Sequence, residues 1–295
     1  MDTHRARPFA VLITLAFLAA ACGDRGSEVV GATPEIDHAD HDGDHDDHAD
    51  HDGDVGGTEH EGHDHGSVDV ATDDAPTVAL DVWSDPAGGI NVRVATTDFE
   101  VAPRAASTEH VDGQGHFHLF IDGQKMLRFY NRELYVSGVP EGEIEVSVEL
   151  SANDHSTYSV EGRPIVATTV FTVPPHDHGG HDHGEPEPRA FAGDAPELQV
   201  EVEPDPISGY NVFVSVSGMD LSAERASGEH VEGEGHLHIY ANDQKLGRLY
   251  GTATHLPVLP AGEVEIRVAA FSNDHRPFVV DGQPVEATTT LTVDG

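Results

Sequence analysis

The 295-residue chain contains one cysteine, three methionines and one tryptophan. A single thiol excludes an intramolecular disulfide and any thiolate-rich metal centre. With so little sulfur, Cu(I) is poorly served as well. Cationic side chains are also scarce: 15 Lys and Arg stand against 54 Asp and Glu, for a formal charge of -39. That balance excludes nucleic acid as a partner, because a phosphate-binding surface needs clustered cations. It favours cations as ligands and keeps the chain soluble. No apolar run reaches the roughly 20 residues that span a bilayer, and no stretch sustains a helical period. What the chain has in quantity is histidine, 22 residues of it.

The lone cysteine has a recognisable setting. Residues 1–7 are basic, residues 9–20 are apolar, and Leu18-Ala19-Ala20-Ala21-Cys22 follows. This arrangement resembles the lipobox of bacterial lipoproteins, with Ala19 standing where leucine is commonest. The resemblance implies a signal peptide over 1–21, lipid acylation of Cys22, and a mature protein anchored to the cell membrane on its extracytoplasmic side.

Two stretches lack any core-forming pattern. Residues 37–66 hold twelve acids, eight histidines and no Lys or Arg, and residues 176–184 read HDHGGHDHG. Neither can bury enough apolar surface to offset chain entropy, so 22–75 is expected to be a disordered stalk and 176–195 a linker. Their imidazoles suit borderline ions such as Zn(II) and Cu(II), while the carboxylates raise the local cation concentration. Calcium loops would have no use for so many histidines.

After each tract comes one copy of a gapless repeat with a period of 120: Pro76 matches Pro196, Asp85-Pro86 matches Asp205-Pro206, and Asn91 matches Asn211. Duplicated domains over 76–175 and 196–295 are the simplest reading. Alternating apolar residues (Val78, Leu80, Val82; Ile90, Val92, Val94; Phe117, Leu119, Ile121; Ile144, Val146, Val148, Leu150) are separated by Gly and Pro clusters. About seven short strands per hundred residues predict an all-β chain of two tandem immunoglobulin-like β-sandwiches.

Within each copy one stretch is kept closely, EHVDGQGHFH at 109–118 and EHVEGEGHLH at 229–238. On a strand His116 and His118 share one face, and Phe117, Leu119 and Ile121 share the other. If the apolar face meets the core, the imidazoles point away from it, where a short loop could cover them. Two such rings can converge on one ion, which then needs further ligands. His110 and His155, the latter in the phrase Asn-Asp-His, are the candidates in the first copy. His230 and His275 are their equivalents around His236 and His238. Four nitrogens would suit tetrahedral or tetragonal Zn(II) or Cu(II). His255 replaces Tyr135 of the first copy, so the second copy alone could add a fifth imidazole and hold metal more tightly. A lone His-x-His pair is weak evidence, and Asn-Asp-His can be a plain turn. The retention of all four histidines in both copies, while Phe117 becomes Leu237 and Ser156 becomes Arg276, favours a shared site.

The run Gly-His-Phe-His-Leu-Phe-Ile-Asp-Gly, followed by Pro-Glu-Gly-Glu-Ile-Glu-Val and Asn-Asp-His, resembles a group of uncharacterised bacterial exported domains with a Gly-His-x-His strand. That group brings no activity with it. A fainter similarity is to copper–zinc superoxide dismutase, whose copper ligands include a His-x-His strand; its disulfide cysteines and guiding arginine have no counterpart here. No catalytic acid or substrate channel is identifiable, so an enzyme is not expected. The expectation is a lipid-anchored protein that sequesters or relays Cu(II) or Zn(II). Its rivals are a dismutase-like copper enzyme and an adhesive spacer with incidental histidines.

Overall fold

In the computed structural model, residues 66–175, 186–193 and 195–294 are described. All regular structure among them is β-strand apart from two short 3-10 turns. In the first copy, Thr77–Ser84, Ile90–Thr97 and Glu133–Val136 form an antiparallel three-stranded sheet. Facing it, Gln124–Phe129, Gln114–Ile121, Gly142–Ala152 and Val166–Val173 lie antiparallel in that order. The second copy repeats both layers. Glu197–Pro204, Tyr210–Ser217 and Ala253–Leu256 make the smaller sheet. Gln244–Leu249, Glu234–Ala241, Gly262–Ser272 and Glu286–Val293 make the larger. Each copy is an immunoglobulin-like β-sandwich.

The alternation in sequence explains why these segments are strands. Along Gly142–Ala152, Ile144, Val146, Val148 and Leu150 are buried, and the residues between them are exposed or partly so. They meet Ile90, Val92 and Val94 from the smaller sheet and Phe117, Leu119 and Ile121 from the neighbouring strand in one core. Leu237, Ile239, Val264, Ile266 and Val268 build the matching core of the second copy. Each such side chain contributes roughly 1.5–3 kcal/mol by leaving water. Tight turns set the register: Asp122 and Gly123 both take positive φ between Gln114–Ile121 and Gln124–Phe129, as a two-residue hairpin connection requires.

Two boundaries differ from expectation. Ser67–Asp69, placed in the stalk from sequence, is a strand paired parallel to Thr157–Val160. Arg189–Ala190, placed in the linker, pairs parallel with Phe278–Val280. Val68 and Val70 pack on the first core and Phe191 on the second, and one or two apolar residues are too few to register as a pattern. The rest of both histidine tracts, the signal segment and Cys22 lie outside the described residues. No helix among the described residues is long and apolar enough to cross a membrane.

The described residues fall within one compact unit, in which the two copies meet. The contact repeats itself with the copies exchanged. Tyr130 donates to Asn211 at 2.7 Å, and Tyr250 donates to Asn91 at 3.0 Å. Arg93 pairs with Glu224, and at the equivalent place Arg104 stacks on Phe213.

Candidate metal centre

The glycine ahead of each histidine pair has a steric cause. A Cβ on Gly115 would lie 1.9 Å from the Ser151 carbonyl oxygen, and one on Gly235 would lie 2.2 Å from that of Phe271. Only glycine lets the histidine strand pair so closely with Gly142–Ala152 or Gly262–Ser272 there. The pairing sets His116 opposite Ser151 and His118 opposite Glu149.

As expected, Phe117 and Leu119 enter the core, and the imidazoles take the other face. That face is not open to solvent: His116 is 0% exposed and His118 4%. Their Nε2 atoms stand 3.1 Å apart, and those of His236 and His238 stand 3.0 Å apart. Metal–nitrogen bonds of about 2.0–2.1 Å space neighbouring ligands by about 2.9 Å in a square site and about 3.4 Å in a tetrahedral one. Both observed separations fall inside that interval.

The third imidazole comes from a turn. Asp154 accepts from the Ser156 amide at 3.0 Å, the His155 amide donates to the Ala152 carbonyl at 3.0 Å, and His155 takes φ of 69°. A left-handed conformation usually goes to glycine, so a histidine there, repeated at His275 with φ of 61°, is a strained position maintained twice. It aims the ring inward: the His116 and His155 centroids are 4.7 Å apart, as are those of His236 and His275. In His116–His118–His155 and in His236–His238–His275, one nitrogen of each residue lies within 4.8 Å of the other two.

The fourth expected ligand is not there. His110 bonds Asp112 at 3.0 Å and leans on Tyr158, centroids 5.7 Å apart. His230 sits against Phe278 at 5.8 Å, near Glu232. The loop before the strand carries each ring onto an aromatic, outside the triads. His255 also departs from expectation. It lies on Ala253–Leu256 and reaches across to the other copy, where its ring meets the Arg128 guanidinium and bonds Asn211 within its own. It therefore belongs beside the first copy's triad. Its equivalent, Tyr135, lies under Arg248 at 3.8 Å.

Sequence reading missed the groups around each triad. Arg128 Nη1 lies 2.9 Å from His155 Nε2 and donates to Ser107 at 3.0 Å, while its Nη2 donates to Asp205 at 2.9 Å. Ser107 donates to Asp205 at 2.7 Å and stands 2.8 Å from His155 Nε2. The mirror set is Arg248, Ser227, Asp85 and His275. The available signal was the repeat itself, since Arg128, Ser107 and Asp85 recur at the offset of 120 as Arg248, Ser227 and Asp205.

Burial dominates the electrostatics. It lowers the proton affinity of His118 to about 4, and it holds His116 and His236 well below their ordinary 6.5. His155's counterpart His275 falls to about 4, from burial and then the charge of Arg248. Burial also brings Lys245, 3.2 Å from His238 Nε2, down to about 8, with help from Arg248. Burial alone would raise Asp205, but hydrogen bonds from Ser107, the Ile207 and Ser208 amides and Asn211 bring it down to about 2. His116, His118, His236 and His275 are therefore neutral near pH 7 and able to offer lone pairs, beside an ionised carboxylate.

The triads differ in their surroundings. His118 Nδ1 bonds Ser151 at 2.9 Å and lies 3.9 Å from Glu149. In the second copy those positions are Phe271 and Ala269, and His238 stacks on Phe271 with centroids 3.9 Å apart.

No protein-family model matches the chain, and no curated protein matches it. Among solved structures it is similar to fibronectin(III)-like modules of Clostridium thermocellum CbhA, at 9% identity and a TM-score of 0.22, over 74% of this chain and 94% of that one. It is also similar to the apo structure of Bacteroides uniformis beta-glucuronidase 3, at 10% identity and a TM-score of 0.21, over 74% of this chain and 25% of that one.

Proposed function

We propose that the chain is an extracytoplasmic, membrane-anchored lipoprotein that sequesters or relays Cu(II) or Zn(II), one ion per histidine triad. The observation that carries this reading is the duplicated triad: three buried or partly buried imidazoles converge within 4.8 Å in each copy. Burying three polar rings together costs stability unless something compensates, and a bound ion would do so. Three nitrogen ligands and no thiolate suit Cu(II) and Zn(II), and leave a coordination position for an entering or departing ligand. The His-Asp tracts would gather ions weakly and pass them to the triads. The lipobox at Cys22 would keep the protein at the membrane surface.

The test is a titration of the full chain with Cu(II) and with Zn(II), repeated with His116→Asn and His236→Asn combined. A tight class of sites in the parent that vanishes in the variant, leaving only weak tract binding, supports the proposal. Identical isotherms for the two proteins refute it.

A further inference from the structure

Asp85 and Asp205 each open a turn, and an aspartate there ordinarily serves the turn alone. Asp205 does serve its own: the Ile207 and Ser208 amides donate to Oδ1 at 3.0 and 3.1 Å, and Asn211 donates to Oδ2 at 2.9 Å. Three bonds within the copy would suffice to hold it. The carboxylate nevertheless also accepts from Ser107 at 2.7 and 2.9 Å and from Arg128 at 2.9 Å, both in the other copy. Both groups lie within 2.9 Å of His155 Nε2. Asp85 does the same in reverse. It takes the Ala87 amide at 2.8 Å and Asn91 at 3.1 Å from its own copy, then Ser227 at 2.6 Å and Arg248 at 2.8 Å from the other. Ser227 in turn stands 2.7 Å from His275 Nε2.

From this exchange we infer that Asp205 and Asp85 are positioning residues, each acting from one copy on the metal site of the other. The inference rests on the metal-binding reading above. His155 rides on a strained turn rather than a paired strand, and Ser107 gives its ring an external hold: with its own hydrogen donated to Asp205, the Ser107 oxygen accepts from His155 Nε2–H and leaves Nδ1 as the nitrogen that can ligate. Ser107 is itself fixed by the Asp205 carboxylate and by donation from Arg128, which Asp205 also holds. Groups that orient metal-ligating histidines typically matter ten- to hundredfold in affinity. The two sites are then interdependent, and neither copy holds a complete site alone, which gives the duplication a reason.

The experiment uses the full chain with one triad disabled at a time. His236→Asn with His238→Asn leaves the first site readable, and His116→Asn with His118→Asn leaves the second. Asp205→Asn keeps the side-chain shape and the acceptor for its own turn, and should weaken Cu(II) at the first site ten- to hundredfold with less than a twofold change at the second. Asp85→Asn should do the opposite. Ser107→Ala, which leaves the Asp205 turn alone, should reproduce the Asp205→Asn result. Equal losses at both sites, or no loss at either, overturn the inference. Imidazole ¹⁵N resonances of the metal-free chain supply a readout that needs no ion. Those of His155 should shift in Asp205→Asn and Ser107→Ala, and stay in place in Asp85→Asn. If the parent binds neither Cu(II) nor Zn(II), the metal reading fails and these resonances decide the positioning role by themselves: unmoved signals overturn it.

Discussion

Arg128 and Asp205, 77 positions apart and in different copies of the repeat, form an ion pair of 2.9 Å in which the aspartate side chain is wholly buried. Arg248 and Asp85 repeat the pair at 2.8 Å with the copies exchanged. Breaking a buried pair by removing one partner leaves an uncompensated charge, at a typical cost of about 3–5 kcal/mol. Asp205→Ala should therefore lower unfolding stability by that order in a denaturant titration. Adding Arg128→Met should recover part of the loss. A change under about 1 kcal/mol for Asp205→Ala would mean that the pair is not sequestered from water.

Replacing Gly115 or Gly235 by alanine should cost at least about 3 kcal/mol, at the upper end for overpacking, because the obstructing atom is a backbone carbonyl in a central strand. Gly123→Ala, where open space surrounds the added carbon, isolates the φ penalty alone and should cost less. Thermal melts of the three variants make the comparison, and equal costs would argue that strand spacing is not what requires glycine.

The strand pattern, the apolar faces and the His-x-His pair were legible in the sequence because a strand imposes a period of two on its side chains. His155 was legible through Asn-Asp-His, though not the left-handed φ that makes its position unusual. His110 misled because nearness in sequence is not nearness in space: its loop ends on Tyr158. His255 misled for another reason. Alignment of a repeat pairs residues copy by copy, whereas the contact face between the copies carries His255 across to Arg128. Asp85, Ser107 and Arg128 look like a turn former and two surface polar residues until the second copy is packed against them.

Acid should destabilise the metal-free fold. His118, His255 and His275 fall to about 4 in the folded chain, mainly through burial, against about 6.5 when unfolded. Below pH 6.5 the unfolded chain takes up protons that the folded chain refuses. The contribution of these rings is thus fully present above about 6.5 and is lost as pH falls toward 4. The Tm should be flat from pH 8 to about 6.5 and drop steeply below. Metal affinity should separate the two kinds of histidine. A peptide of residues 37–66 should weaken between about pH 7 and 5, as its rings protonate near 6.5, while the second triad, whose three rings all lie well below 6.5, holds its affinity to about pH 5. Parallel losses in peptide and folded chain would contradict this.

The first triad should bind more tightly than the second. Glu149 and Ser151 lie beside His118, and a carboxylate behind a ligating imidazole raises its basicity. Ala269 and Phe271 offer His238 nothing comparable. Glu149→Ala should erase most of the difference, a loss of ten- to hundredfold at the first site in chelator competition. A second site that is tighter in the parent would show that the apolar surroundings of His238 favour the ion more than the carboxylate does.

Whether two ions sit within the triads is tested most directly by anomalous diffraction from crystals of the copper- or zinc-loaded chain, recorded on both sides of the metal edge. Two peaks per chain are expected, one within bonding distance of His116, His118 and His155 and one of His236, His238 and His275. Peaks confined to surface carboxylates, or peaks beside His110 and His230 with the triads empty, would contradict the proposed metal site.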